Sequence, residues 1–285
     1  MKILETTNLT DVQKQEIKQL LKKVHQEDQS YRDPYLSNQF NNFSEMPCFF
    51  LSYEEGVLIG FIMIYADGTV EEPVEVYINV LPAKRLQGIA SSMLNHVHKT
   101  LKKFGYKDIE YVTEKNFLQK NPDFLNVTRL KLVHKEHQLR ANEVPNVAQN
   151  QELVVRPLQE KDIKQVIPFE AKAFEVTSDE SEKYISESYN DSHTLTYVLK
   201  HGSNLIGYCA IDNGTEYYIF DLVISQSYRT HGYGTFFVKK IMSVLDNKQH
   251  KPFVLGVDDD NLAARHLYAN AGFIEETEIE YFSKI

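Results

Sequence analysis

The chain of 285 residues has only two cysteines, Cys48 and Cys209, far apart and outside any C-x-x-C pair. That excludes a disulfide framework and fits two buried thiols in a reducing compartment. No apolar run approaches the 18 or so residues a membrane-spanning helix needs, and the opening MKILETTNLT lacks the apolar centre of a secretory signal. A cytoplasmic location without membrane contact is the expectation. Positive charge is short: 31 Lys and Arg face 40 Asp and Glu, for a net charge of −9 that lies mostly after residue 146. Nucleic-acid binding needs a basic face against the phosphates, so nucleic acid is not an expected partner of either half. The P-loop pattern and the G-x-G-x-x-G turn of dinucleotide folds are absent as well.

What is present is a duplication. VLIGFIMIY (57–65) resembles NLIGYCAID (204–212), and Arg85-Leu-Gln-Gly-Ile-Ala90 aligns with Arg229-Thr-His-Gly-Tyr-Gly234. After each turn the apolar positions keep step, with Met93, Leu94, Val97 and Leu101 matching Phe237, Val238, Ile241 and Leu245. Two copies of one strand–turn–helix unit give that spacing. The polar stretch RANEVPNVAQNQE, with Pro145 and no periodicity, reads as a linker. Two domains are expected, 1–145 and 152–285. In the second, elements are predicted at 152–157, 161–174, 179–189, 194–200, 204–212, 215–224, 233–246, 252–257, 261–271 and 273–283. Helices interleaved with mostly antiparallel strands make each domain α/β or α+β.

The turn Arg229–Gly234 is built for an anion. Gly232 and Gly234 remove Cβ atoms that would block close backbone approach. A helix starts near Tyr233, so several amide N–H groups point at one place without an internal partner. The helix dipole and Arg229 add positive charge, an arrangement suited to pyrophosphate. Downstream, VLGVDDDNLAARHLYANAGFIEE gives a strand, Asn261 as a helix start, the apolar stripe Ala264, Leu267, Tyr268 and Ala271, and a closing Gly272-Phe273.

These two signatures, R-x-x-G-x-G and N-x-x-A-x-x-L-Y-x-x-x-G-F, occur in order across about 130 residues after the opening LVVRPLQEKDIKQV. The second half thereby resembles the GNAT superfamily of N-acetyltransferases. The resemblance implies two tandem GNAT-like acyl-CoA N-acyltransferase domains, each a mixed, mainly antiparallel sheet flanked by helices, and acetyl-CoA as cosubstrate. It places the CoA pyrophosphate on the amides of Arg229, Thr230, His231, Gly232, Tyr233, Gly234 and Thr235. It lays the pantetheine arm along Leu222, Val223 and Ile224. Asn261 would contact that arm or hold its own helix, and Tyr268 would sit near the CoA sulfur, where a phenol stabilises a departing thiolate. The acceptor would be an amine of a small molecule or peptide. A cationic amine must lose a proton, and Asp221 and Glu216 are the carboxylates placed to take it. Strand alternation puts Asp221 one face away from Leu222.

The first half keeps Arg85, Gln87, Gly88 and Ala90, so a pyrophosphate turn is expected there too. It lacks the second signature: matching Asn116 to Asn261 brings the tyrosine position to Asp123 or Phe124, just after Pro122. A degenerate, catalytically silent copy is the expectation, with catalysis in the second domain. A two-site enzyme and a non-catalytic acyl-CoA-binding regulator are the alternatives. His96 and His98 face different sides of a helix, and His134 and His137 have no carboxylate at metal-ligand spacing. The Asp258–Asp260 run lacks the rest of a calcium loop. No metal is expected. The acidic FEVTSDESEKYISESYND (174–191) reads either as a steering surface for a cationic acceptor or as the solvated face of a helix. Oligomeric state is open.

Overall fold

In the computed structural model, which describes residues 2–147 and 149–284, both halves run in the same order. The first has β1 (Lys2–Thr6), α1 (Asp11–Asp28), β2 (Phe49–Glu54), β3 (Val57–Tyr65), β4 (Val74–Val80), α2 (Ile89–Phe104), β5 (Ile109–Glu114), short α3 (Lys115–Lys120) and α4 (Phe124–Thr128), and β6 (Leu130–Ala141). The second has β7 (Leu153–Pro157), α5 (Ile163–Phe174), α6 (Ser178–Asn190), β8 (Thr194–His201), β9 (Asn204–Asn213), β10 (Tyr217–Ile224), α7 (Tyr233–Asp246), β11 (Phe253–Asp258), α8 (Leu262–Asn270) and β12 (Ile274–Lys284). Second-half bounds fall within about two residues of those predicted, because caps and apolar spacing agree there. Thr177 and Glu180 form a reciprocal capping box on α6, and Asn261 accepts from the Ala264 amide to cap α8.

Two compact units result: residues 1–136 with 277–285, and residues 137–276. The expected division at 145 and 152 differs from this at the closing strands. In the first unit the strands run β1-β2-β3-β4-β5, and β12 completes the row by pairing antiparallel with β5, Ile279 opposite Glu114 and Phe282 opposite Tyr111. In the second unit the order is β7-β8-β9-β10-β11 with β6 beside β11. β12 from Thr277 on therefore belongs to the first unit, and β6 from His137 on to the second. Periodicity sets which face of a strand is buried but does not name its neighbour. β4 with β5 and β10 with β11 pair in parallel; β1 through β4 and β7 through β10 are successively antiparallel.

The first unit buries Ile17, Leu21, Phe49, Phe50, Phe61, Ile62, Met93 and Val97 in one cluster. The sheet of the second unit is covered on both faces. Helices α7 and α8 bring Phe237, Val238, Ile241, Leu245 and Tyr268 to one face; α5 and α6 bring Val166, Ile167 and Ile185 to the other. Each fully buried Leu, Ile or Phe contributes about 1.5–3 kcal/mol, so both units have ample apolar cohesion. Both cysteines are buried and unpaired. No described helix is long and apolar enough to cross a membrane.

Candidate active site

The site of the second unit begins where two parallel strands part. Strand β10 pairs with β11 only from Tyr217↔Phe253 to Ile219↔Leu255. On its other side β10 stays paired with β9 as far as Ile224↔Gly207. Residues 220–224 thus keep one hydrogen-bonding edge of backbone with no strand against it among the described residues. A bulge lies in the middle: Phe220 faces Ala210 and Val223 faces Tyr208, leaving two residues opposite one. Asp221 takes φ +53 there. The bulge resets the alternation, so Tyr217, Ile219, Leu222 and Ile224 pack on the α7/α8 face while Phe220 and Val223 pack under α5 and α6. Asp221 lies between Phe220 and Val223 in the bulge, with both oxygens buried.

The turn follows at once. Nε of Arg229 donates to the Ile224 carbonyl at 2.9 Å, and Thr230 and Gly232 adopt φ +66 and +76. A β-branched residue pays about 1–2 kcal/mol to sit there; the Thr230 hydroxyl donates to the Arg229 carbonyl, and His231 Nδ1 lies 2.7 Å from the same oxygen. The first bond of α7 runs from the Phe236 amide to the Gly232 carbonyl, and the amides of residues 230–235 make no hydrogen bond among the described residues. Six consecutive unpartnered N–H groups at a helix N-terminus are what an anion cradle requires. The two glycines turn out to do different jobs. A Cβ on Gly232 would meet nothing within 4 Å, so glycine is there for its positive φ and the open space before the turn. A Cβ on Gly234 would lie 2.4 Å from Leu267 Cδ1, so that glycine lets α8 pack on α7. His231 and Tyr233 stack with centroids 5.5 Å apart at the mouth of the cradle.

Tyr268 reaches the same region from α8. It is nearly buried, packs edge-on against Phe273, and its hydroxyl makes no hydrogen bond among the described residues. Burial pushes the pKa of that hydroxyl up, so it stays protonated. Asn261, by contrast, is spent on its cap. Of the two carboxylates, Glu216 stands just before β10, at the end away from Arg229, where it accepts from Arg140 at 2.9 Å. An ion-paired carboxylate at the wrong end of the strand is a poor proton acceptor for this site. Both oxygens of Asp221 are buried without a hydrogen-bond partner, and desolvation, then the charge of Glu170, pushes its carboxyl well above the ordinary range. Glu170 and Tyr208 were not singled out in the sequence. The signal was there: Glu170 occupies a core position in the stripe Ile163, Val166, Ile167, Glu170 and Ala171. His137 gains the carboxylate partners its spacing did not suggest, with Asp259 at 2.7 Å and Glu275 at 3.0 Å. The acidic helix α6 buries Ser181, Ile185 and Ser188 and spends Glu180 on its capping box.

The first unit repeats the backbone and fills the space around it. Leu86 and Gly88 take φ +60 and +79, and the amides of residues 86–91 make no hydrogen bond among the described residues. Gln87 is turned back to the Ala83 carbonyl, and Ala90 stands where the second copy has its packing glycine. Arg85, however, is clamped by the buried Asp28 through two bonds of 2.7 and 2.6 Å. The segment that carries Asp28 then crosses to the end of β5. There Asn116 donates to the Gln29 carbonyl, and Glu114 accepts from the amides of Tyr31 and Arg32. Residues 27–32 of the chain thus bridge the mouth between the Arg85 turn and β5. No acid is paired with Arg229 among the described residues. Strand β4 also lacks a bulge, pairing in register with β3 from Gly60↔Val80 to Tyr65↔Glu75.

The acetyltransferase (GNAT) family model matches residues 14–121 and again 163–273. The chain belongs to the GNAT acetyltransferase family. Solved structures with the same fold include a GCN5-related N-acetyltransferase from Sphaerobacter thermophilus, 12% identical with a TM-score of 0.76 over 99% of this chain and 95% of that one. A tandem GNAT protein from the clavulanic acid biosynthesis pathway, solved without AcCoA, is 12% identical with a TM-score of 0.69 over 99% and 97%. A GNAT acetyltransferase from Colwellia psychrerythraea is 15% identical, with a TM-score of 0.62 over the full length of both chains. At these identities the likeness is one of fold. The search of the curated proteins gives no match.

Proposed function

We propose that the protein is an acetyl-CoA-dependent N-acetyltransferase whose chemistry takes place in the second unit. The observation that carries this is the contrast between the two turns. Both present free amides, but Arg85 is neutralised by Asp28 whereas Arg229 is left to an incoming anion. Two features support a pyrophosphate there: Gly232 carries no Cβ into the space before the turn, and six successive amides have no partner among the described residues.

When bound, acetyl-CoA supplies an acetyl thioester and leaves as the free thiol. The amides of residues 230–235 and Arg229 hold its diphosphate. The exposed backbone edge of Leu222–Ile224 takes its extended arm as an added strand would. Asp221, beside that edge, accepts a proton from the acceptor's ammonium group, releasing the lone pair that forms the C–N bond as the C–S bond breaks. Tyr268 donates a hydrogen bond to the departing sulfur, where negative charge develops, and the nitrogen's second proton passes to that sulfur to give the free thiol. Asp221 suits its part because a raised carboxyl pKa narrows the gap to an amine, and because no protein donor competes for its oxygens.

Release of free thiol from acetyl-CoA, followed across a panel of amines, tests the reading. Thiol appears only with both substrates present, and the acetylated amine accumulates in equal amount. A protein that binds acetyl-CoA yet transfers to no amine would be a binding regulator instead.

A further inference from the structure

Glu170 is out of place by the usual rules. Helix α5 lays Val166, Ile167 and Ala171 on the sheet, and Glu170 falls in that apolar stripe with 3% of its surface exposed. A carboxylate in such a position is normally matched by a cation or a full set of donors. Here Ser181 of α6 is the donor beside it, and Oε2 has no partner. Val166 and Ile167 of the same helix pack with Phe220 and Val223 of β10, and between those two in sequence lies Asp221, with both oxygens buried and unpartnered. Tyr208, fully buried, adds a third unpartnered group, a hydroxyl that senses Asp221, Glu170 and Tyr184. No lysine, arginine or histidine is paired with either carboxyl among the described residues. Two carboxyls gathered in a dry place, with acceptors unsatisfied, leave one half of an interaction unfilled.

The missing half is a compact donor of positive charge. A primary ammonium has three N–H donors and no acceptor, which matches two carboxylates and one hydroxyl. A quaternary ammonium has no N–H, and a guanidinium presents a planar fork. We propose that Glu170 and Asp221 form the seat of the acceptor's ammonium group, and that Glu170 selects a primary aliphatic amine over an uncharged one. The inference rests on the acetyl-transfer reading, and gives Glu170 a role in specificity: its charge, delivered from α5, holds the nitrogen that Asp221 deprotonates. The bulge at Asp221 places this seat directly beside the free strand edge.

The experiment uses the full chain and two probes, n-butylamine, a cation at neutral pH, and methoxyamine, which is uncharged there. In the thiol-release assay Glu170→Gln raises KM for n-butylamine about tenfold or more, the scale of a lost charge-assisted hydrogen bond. The KM values for methoxyamine and acetyl-CoA stay unchanged. An equal rise for both amines would make Glu170 a packing residue, and no rise for either would remove it from the site. A measurement on the unaltered protein stands independently of that variant's folding. By calorimetry with CoA present, n-butylamine binds about tenfold or more tightly than 1-butanol. Equal binding overturns the proposal. Tighter binding of the amine without any thiol release keeps the ammonium seat and discards the acetyl-transfer reading.

Discussion

Gly232 and Gly88 make a matched pair of perturbations. Both precede a helix with φ near +77, and a Cβ built on either meets nothing within 4 Å. Alanine at either position is therefore strained without a clash, at a cost of about 1–2 kcal/mol in each case. On a domain of this size that lowers Tm by about 2–4 °C per kcal/mol. Ligand binding should separate them. The methyl group of Gly232→Ala projects into the open space before an unclamped cradle and would hold a diphosphate off the amides. Losing two charge-assisted bonds of about 1.5–3 kcal/mol each weakens acetyl-CoA binding by about two to four orders of magnitude. Gly88→Ala alters a turn whose arginine is already held by Asp28, so affinity stays within about twofold of the parent. Calorimetric titration of acetyl-CoA into both variants, with thermal melts alongside, reads the two quantities separately. Similar melts with a large affinity loss in Gly232→Ala alone are expected. An unchanged affinity in Gly232→Ala would refute the assignment of the cradle.

Two further outcomes follow from other parts of the molecule. Tyr268→Phe removes one hydroxyl and keeps the packing, so kcat falls by about 10–1000-fold while KM for acetyl-CoA moves little, read under conditions where chemistry limits the rate. Full kcat would return Tyr268 to the core. In the first unit, burial pushes Glu75 up to about 7, against the lowering hydrogen bond from Tyr77. The folded state holds that proton when the unfolded chain has lost it, so Glu75 makes stability fall as pH rises from about 4.5 to about 7, by roughly 3 kcal/mol at 1.36 kcal/mol per pKa unit. Glu75→Gln flattens that part of a pH–denaturation profile; an unchanged slope would place the dependence elsewhere.

Much of this was legible in the residues. The apolar spacing after each turn fixed α2 and α7, and Asn261 with Ala264, Leu267 and Tyr268 fixed α8, because local caps and helical periodicity act within a few residues. The free amides followed from the glycine and the helix start. Three features depended on distant parts of the chain. Asp28 is 57 residues from Arg85, and no local pattern pairs them. The exchange of closing strands is a choice of neighbour, to which alternation is blind. The bulge at Asp221 comes from one extra residue between two apolar runs, and only the register with β9 exposes it. Glu216 looked equivalent to Asp221 in sequence, and Arg140 of β6 separates them.

The claim that the second unit turns substrate over at the β10 bulge is tested most directly by acetyl transfer in Asp221→Asn. Asparagine keeps the volume and tolerates the positive φ of this position, while it cannot take a proton from an ammonium group. The account predicts that kcat/KM for an aliphatic amine falls by about 10²–10⁴-fold while the affinity for acetyl-CoA stays at the parent value. A folded Asp221→Asn protein that acetylates the amine at the parent rate would contradict it.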